Sequence, residues 1–268
     1  MKIFVCIKQV PAISEVKIDR KTGTLVREGV PGMINPMDKN ALELALSIKE
    51  NTGADVIALS MGPPQAEEIL RESLAMGIDK AYLLTDRAFG GADTLATSYT
   101  LSLAIKKILK ETEESKNYLV VCGAQAIDGD TAQVGPELAE ELNIPQITNV
   151  RYVELSENKI IAESIFQSDE IAVIECKLPV LITVLKELNV PRFPTISGIV
   201  DAFDYKEVVH WNAKDLDADI QKIGLEGSRT QVYKIFIPPQ KNEYIKLSGT
   251  IEDVAKDLCQ KLKEDKIL

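Results

Sequence analysis

Short apolar runs rich in β-branched residues alternate with helix-periodic segments up to about residue 145, and that alternation restricts the fold more than any other feature. "KIFVCI" (2–7) reads as a buried strand, and "NPMDKNALELALSIKENTG" (35–53) sets Leu42, Ala45, Leu46 and Lys49 at helical spacing and stops at Gly53. "ADVIALSMG" (54–62) is a second strand; "PPQAEEILRESLAMG" then starts a helix on proline, aligns Ile69, Leu70 and Leu74, and stops at Gly77. "DKAYLLTD" (79–86) is a third strand. "DTLATSYTLSLAIKKILKETEE" (93–114) is a long helix striped by Leu101, Ala104, Ile105 and Ile108, and "NYLVVCG" (117–123) is the fourth strand. Strands that are apolar throughout, between amphipathic helices, predict an α/β fold: a parallel, Rossmann-like, three-layer sheet covered on both faces.

After residue 145 the texture changes. "ITNVRYVELSENKIIAESIF" and "SDEIAVIECKLPVLITVL" read as added antiparallel hairpins, turning at Glu157-Asn158 and Leu178-Pro179. Past Glu187 regular signals thin out for about sixty residues, too long for a structureless loop inside one domain, so this stretch reads as an arm lying on another surface. The division expected is therefore an α/β domain over 1–190 and an extension over 191–268. The chain closes with "TIEDVAKDLCQKLKED" (250–265), where Thr250 can cap, Asp253 follows three residues on, and Ile251, Val254, Ala255, Leu258 and Leu262 share a face. Such a helix needs a surface to land on, either this chain's own domain or a partner subunit.

Charge narrows the function. Lys+Arg number 31 against 41 Asp+Glu, a formal net charge of −10, and no basic run compensates locally, which argues against nucleic acid. The opening "MKIFVCIKQVP" has only a short apolar run ended by Lys8, too short for a signal-peptide core or a membrane span, so the expectation is a cytoplasmic protein without membrane insertion. Cys6, Cys122, Cys176 and Cys259 show no CxxC spacing, and His210 is the only histidine, so no protein-held metal is expected. Cys6 and Cys122 fall in strands and read as small buried hydrophobes; His210 reads as a surface residue far from any serine elbow, which leaves no catalytic triad.

The stretch "VVCGAQAIDGDTAQVGPELAEEL" (120–142) carries the chemistry. In an open parallel sheet, ligands bind beyond the carboxyl ends of the strands, which is where this loop falls. Gly123, Ala124, Ala126, Gly129 and Ala132 leave room for backbone N–H groups to approach a ligand, and the following helix N-terminus adds partial positive charge, an arrangement suited to a pyrophosphate. Pro136 sets the helix start near Gly135-Pro136, leaving 130–134 as a turn with free donors. Asp130 with Gln133 fits a capping box as an alternative, and a capped helix without ligand is the bland reading. Asp128 and Asp130 repel a phosphate unless other groups hold them. Neither GxGxxG nor GxxxxGK[ST] occurs, and no SGG-x-D loop follows strand one, which disfavours a standard dinucleotide fold, a P-loop NTPase and an ATP pyrophosphatase.

Four stretches together, "KQVP…VKID…TGTLVREGVPGMINPMDKNALELAL", "ALSMGPPQAEEILRESLAMGIDKAYLL", "GAQAIDGDTAQVGPELAE" and "LNVPRFPTISGI", resemble the β subunit of an electron-transfer flavoprotein from strand one to about residue 205. The resemblance implies an adenine-nucleotide-binding α/β domain, a heterodimer with a larger α subunit that carries FAD, and a C-terminal arm around that partner. By position, Cys6, Asn35 to Asp38 and Met61 border an adenosine. Gly123 and the run Ala126, Asp128, Gly129, Asp130, Thr131, Ala132, Gln133 and Val134 surround phosphates. Mitochondrial-type members hold a structural AMP there; members from anaerobes hold a second FAD that takes a hydride from NADH and bifurcates its electrons. "DGDTAQVG" and "GGADTLATSY" resemble the second type, with Asp93, Thr94, Ala96, Thr97 and Thr131 serving a longer ligand. Lys8 is a candidate cation near the flavin.

"PRFPTISGIVDAF" (191–203) resembles the family's recognition loop, with Ile196 in the place of the aliphatic residue that anchors a dehydrogenase such as acyl-CoA dehydrogenase; a helix buried in its own domain is the other reading. The lysine-rich run that follows this loop in mitochondrial members is missing, since "DAFDYKEVV" has one lysine, which argues against a partner with an acidic docking surface. Three functions follow: a bifurcating subunit that delivers electrons to ferredoxin or flavodoxin and to a dehydrogenase; a plain carrier subunit holding AMP; and a stand-alone ATP-binding regulatory module. None needs a catalytic side chain, because a cofactor carries the redox chemistry.

Overall fold

The computed structural model describes residues 1–12, 31–114, 116–156, 158–166, 170–233 and 244–268. The first half of the chain runs β1 (Lys2–Cys6), β2 (Gln9–Pro11), β3 (Gly32–Ile34), α1 (Pro36–Thr52), β4 (Asp55–Met61), α2 (Glu67–Met76), β5 (Lys80–Leu84), α3 (Thr94–Glu111), β6 (Tyr118–Gly123) and α4 (Val134–Leu142). It continues with β7 (Gln146–Ser156), β8 (Lys159–Ile165), β9 (Ile171–Lys177), β10 (Val180–Val184), α5 (Ile196–Asp204), β11 (Val208–Trp211), α6 (Gly224–Gly227) and α7 (Ile251–Glu264). A 9-stranded sheet has the order β11-β5-β4-β1-β6-β10-β7-β8-β9, and β2 and β3 form a separate ribbon.

The strands that read as continuous apolar runs take the middle of the sheet and are parallel, β1 lying between β4 and β6. Their side chains alternate between two cores. Ile3, Val5, Val56 and Ala58 pack with Leu42, Ala45, Leu46, Ile69, Leu70 and Leu74 of α1 and α2. Phe4, Ile57 and Leu59 pack with Leu101, Ile105, Ile108 and Leu138 of α3 and α4. The three-layer α/β class expected from the pattern is the one observed. Local signals also act as read: Pro36 opens α1, and Gly53, at φ 70, closes it by donating its N–H to the Lys49 carbonyl.

Two readings are corrected. The first hairpin forms, β7 against β8, with turn residue Glu157 outside the described residues. The second does not: β9 pairs with β8, whereas β10 crosses into the sheet between β6 and β7, parallel to both. The cause is visible in the side chains, because all five residues of Val180–Val184 are buried while β9 alternates in and out. From 191 onward, the stretch read as an arm supplies a helix and an edge strand. α5 packs on α2, where Gly198 lies against the Ala75 carbonyl, and β11 pairs Val208–Trp211 with Ala81–Leu84 of β5. The apolar clusters "ISGIVDAF" and "VVHW" are too short to show this alone. Tertiary bonds secure them, Arg71 donating to the carbonyls of Ala202 and Lys206 at 2.5 and 2.9 Å.

The chain divides into two units, Met1–Tyr233 and Lys234–Leu268. In the second, Thr250 and Asp253 form the expected capping box at the start of α7, each side chain bonded to the other's backbone N–H at 3.3 and 3.2 Å. No helix among the described residues is long and apolar enough to cross a membrane.

Candidate functional site

The chain leaves β1 toward β4 on one side and later returns to β6 on the other, so a crevice opens between the carboxyl ends of β1 and β6. That is the switch point at which open α/β sheets take ligands. Cys6, Met61 and Gly123 end β1, β4 and β6, adjacent in the sheet, and the loop 124–133 rises beside them.

The floor of the crevice is a closed polar network. Asp38, in the first turn of α1, accepts from Lys8 N at 2.7 Å, Gly123 N at 3.2 Å and the Asn35 amide at 3.0 Å. Asn35, fully buried, also donates to the Gln125 carbonyl at 2.9 Å and accepts from Ile127 N at 3.1 Å. Burial pushes the Asp38 carboxyl up to about 7, and the three hydrogen bonds and the Lys8 charge only partly oppose this. Gly123 is glycine for a steric reason, since a Cβ there would meet the Asp38 side chain and the backbone of Met37 and Asp38. Asn35 and Asp38, expected to border a ligand, thus tie the ends of β1 and β6 and the start of the loop to α1. Cys6 and Cys122 face each other on these strands. The adjoining Cys6 thiol first, then burial, raises Cys122 well above the usual thiol range, which keeps it neutral, in line with a buried hydrophobe.

The loop above this floor is held open at its backbone. Asp130 and Ala132 both adopt positive φ, 54° and 55°, and Asp130 N bonds to the Ala126 carbonyl at 2.8 Å. Among the described residues no acceptor takes the N–H groups of Thr131, Ala132 and Gln133. α4 starts at Val134, within a residue of the expected place, with Gln133 as an N-cap whose side chain makes no capping bond; the alternative Asp130–Gln133 capping box is not formed. Free donors therefore run from Thr131 into the first turn of a helix. The two aspartates that threatened a phosphate are engaged: Asp128 by Lys8 Nζ at 2.8 Å and Asp130 by the Gln125 amide.

The other predicted residues cluster at the start of α3, which packs beside α4. Thr94 Oγ1 donates to Glu137 at 3.1 Å, and Ser98 joins the Val134 carbonyl at 3.2 Å. Ala96 is buried, and the Thr97 hydroxyl bonds the Asp93 carbonyl at 2.7 Å. Asp93 is already fully bonded: one oxygen caps Ala96 N, and the other accepts from Arg229 N at 2.7 Å and from Thr230 N and Oγ1 at 2.9 and 3.1 Å. Burial raises this carboxyl, but the combined donors hold it below its ordinary value. Its geometry is that of a tether for the end of the first unit. Sequence reasoning missed two neighbours. Val184, at the end of β10, accepts from Ala124 N at 2.9 Å and so borders the loop. Ser60, next to Met61, buries a hydroxyl without a partner among the described residues. Ile196 lies elsewhere, on α5, and is 84% exposed. His210, on β11, is exposed and pairs with Glu67 at 3.0 Å.

A doubly wound sheet with a donor-lined crevice at its switch point is a three-layer α/β fold with the crevice where such folds take ligands. The model of the electron transfer flavoprotein domain matches residues 22–216. The chain is 52% identical over 262 residues, 98% of both chains, to the electron transfer flavoprotein subunit beta of Thermoanaerobacterium thermosaccharolyticum. It is 51% identical over the whole of both chains to the caffeyl-CoA reductase-Etf complex subunit CarD of Acetobacterium woodii, and 41% to the acryloyl-CoA reductase electron transfer subunit gamma of Anaerotignum propionicum, again over both entire chains. The chain belongs to the electron transfer flavoprotein family, as a β subunit.

Proposed function

We propose that this β subunit, in a cytoplasmic heterodimer with an α subunit, binds FAD in the β1/β6 crevice, oxidises NADH there, and bifurcates the electrons. One electron goes to ferredoxin or flavodoxin; the other goes, through FAD of the α subunit, to a dehydrogenase such as an acyl-CoA dehydrogenase. The observation that carries the reading is the run of free N–H groups from Thr131 into α4, beside aspartates whose charge is already engaged, which favours a diphosphate. Thr94 and Thr97 open α3, where Thr94 reaches Glu137 of α4, and the cation of Lys8 reaches Asp128 in the loop that carries Thr131. Bound flavin supplies hydride acceptance and one-electron transfer. The protein's part is to bind and orient, through backbone donors, and to close the crevice floor with Asn35 and Asp38.

The full engagement of Asp93 favours a second reading, a plain carrier holding AMP, because one carboxylate expected to serve the longer ligand is committed to Arg229 and Thr230. Acid release and chromatography of the heterodimer separate the two. Two FAD and no AMP support bifurcation; one FAD with one AMP sinks it. In either case Ile196 is the proposed anchor for the dehydrogenase.

A further inference from the structure

The segment from Val190 to Tyr205 sorts its side chains by polarity and its charges by sign. Ile196, Ile199, Val200 and Phe203 fall at i, i+3, i+4 and i+7 on one face of α5, with Phe193 just ahead of them 91% exposed. The opposite face is committed, since Ala202 is buried and Gly198 is seated against the Ala75 carbonyl, so the helix cannot turn its apolar face inward.

Three cations around this face, Arg192, Arg71 and Lys206, are bonded into the protein, and Arg71 also lies over the Phe203 ring at 5.6 Å. Arg192 donates to both oxygens of Glu43 at 2.8 Å and also to Glu50. Arg71 is taken by Glu67 and two carbonyls, and Lys206 Nζ by the carbonyls of Ile78 and Leu74 at 2.9 and 3.4 Å. Lys186, ahead of the segment, is the exception: its side chain is 73% accessible, with Glu187 at 4.0 Å. The acids face out: Asp201, Asp204 and Glu207 are exposed, and among the described residues none of their carboxylates has a donor or cation. Asp204 falls about 40° round the helix from Val200 and rims that face, with Asp201 about 60° further round.

Resting on the docking reading above, we propose that this surface fits a dehydrogenase whose apolar cleft is bordered by lysine or arginine side chains. Unpaired carboxylates beside an apolar face penalise an acidic partner and speed encounter with a basic one. A second copy of the same face would set carboxylate against carboxylate.

The test uses the heterodimer and a purified acyl-CoA dehydrogenase of the same source, with KM for the dehydrogenase measured between about 0.02 and 0.2 M salt. Wild type is expected to lose affinity as salt rises. Asp201→Asn/Asp204→Asn is expected to raise KM about threefold to tenfold at low salt, flatten the salt dependence and leave kcat unchanged. Ile196→Ala is expected to raise KM at every salt concentration. If Ile196→Ala raises KM but the acid variant keeps wild-type KM and salt slope, the charge inference falls and the docking reading stands. If Ile196→Ala leaves KM unchanged, both fall. Self-association of heterodimers that Ile196→Ala abolishes assigns the face to a second copy and overturns the proposal.

Discussion

The β1/β6 crevice and the outer face of α5 solve the same problem with opposite materials. Both have paired charges beside a contact surface, Lys8 with Asp128 and Asp38 with its three donors in the crevice, Arg192 with Glu43 and Glu50 beneath α5, although the carboxylates of Asp201 and Asp204 on α5 stay unpaired among the described residues. On the functions proposed, this leaves backbone N–H groups to make the contact in the crevice, and Phe193, Ile196 and Phe203 to make it at α5. A surface made of backbone depends on what keeps side chains away, whereas one made of side chains depends on each of them and on the clamp below. Substitutions at the two sites should therefore fail differently.

The largest effect is expected where a side chain enters the backbone-built site. Gly123→Val would push into Asp38 and the Met37–Asp38 backbone; a loss of about 3 kcal/mol or more in stability, with loss of bound nucleotide, is expected from denaturation and cofactor analysis. Retention of full cofactor content would show that the floor yields.

Asp38 makes the crevice pH-dependent. In the unfolded chain its carboxyl ionises near the ordinary value of 3.8; in the folded protein it holds its proton to about 7. The folded state therefore binds more protons in between, and the stability from this group, full below about pH 4, is lost as pH rises to about 7. Asp38→Asn carries no such proton, so its unfolding free energy should gain on wild type by roughly 4 kcal/mol over that window, measured by urea unfolding of both heterodimers. Parallel pH profiles for the two would sink the assignment.

The clamp under α5 predicts a smaller effect of another kind. Arg192→Ala leaves Glu43, which is mostly buried, without its cation, at a cost of about 2 kcal/mol. Cofactor content should be unchanged while KM for the dehydrogenase rises, because the segment carrying Phe193 and Ile196 loosens. A KM equal to wild type would mean that the apolar face needs no clamp.

How legible each region was follows from the same contrast. The parallel core was readable because apolar runs and helical spacing are local, and so were the start of α4, set by Pro136, and the cap of α7, set by Thr250 and Asp253. The place of β10 was not read, although "VLITV" shows the unbroken apolar run of a central strand, because its neighbour "AVIEC" invited a hairpin. α5 and β11 were hidden for a different reason: Arg71, Glu43 and Asn40 hold that region from positions more than 100 residues away, as in Arg71 to Ala202 and Asn40 to Asn189. In the crevice, the resemblance named Asn35, Asp38 and Asp93 as bordering a ligand; beside the local bonds Asn35–Asp38 and Asp93–Ala96, their side chains hold Lys8, Gly123, Gln125, Ile127, Arg229 and Thr230, which only the fold brings near.

The smallest stability effect gives the finest test of the comparison. Lys8 and Asp128 form a half-exposed pair, with side chains 49% and 32% accessible, so breaking it should change stability by no more than about 0.5 kcal/mol. Its consequence for a phosphate-bearing ligand is larger and has a sign. Lys8→Met removes a cation and frees the Asp128 carboxylate toward the free donors of the loop, so AMP or FAD affinity should fall about threefold to tenfold, and less in high salt. Asp128→Asn leaves Lys8 unpaired and should hold or raise that affinity. If both substitutions weaken binding equally, the pair matters as a strut for the loop, and the crevice resembles α5 more closely than its backbone surface implies. Opposite signs would mean that the pair neutralises charge, leaving backbone donors to make the contact.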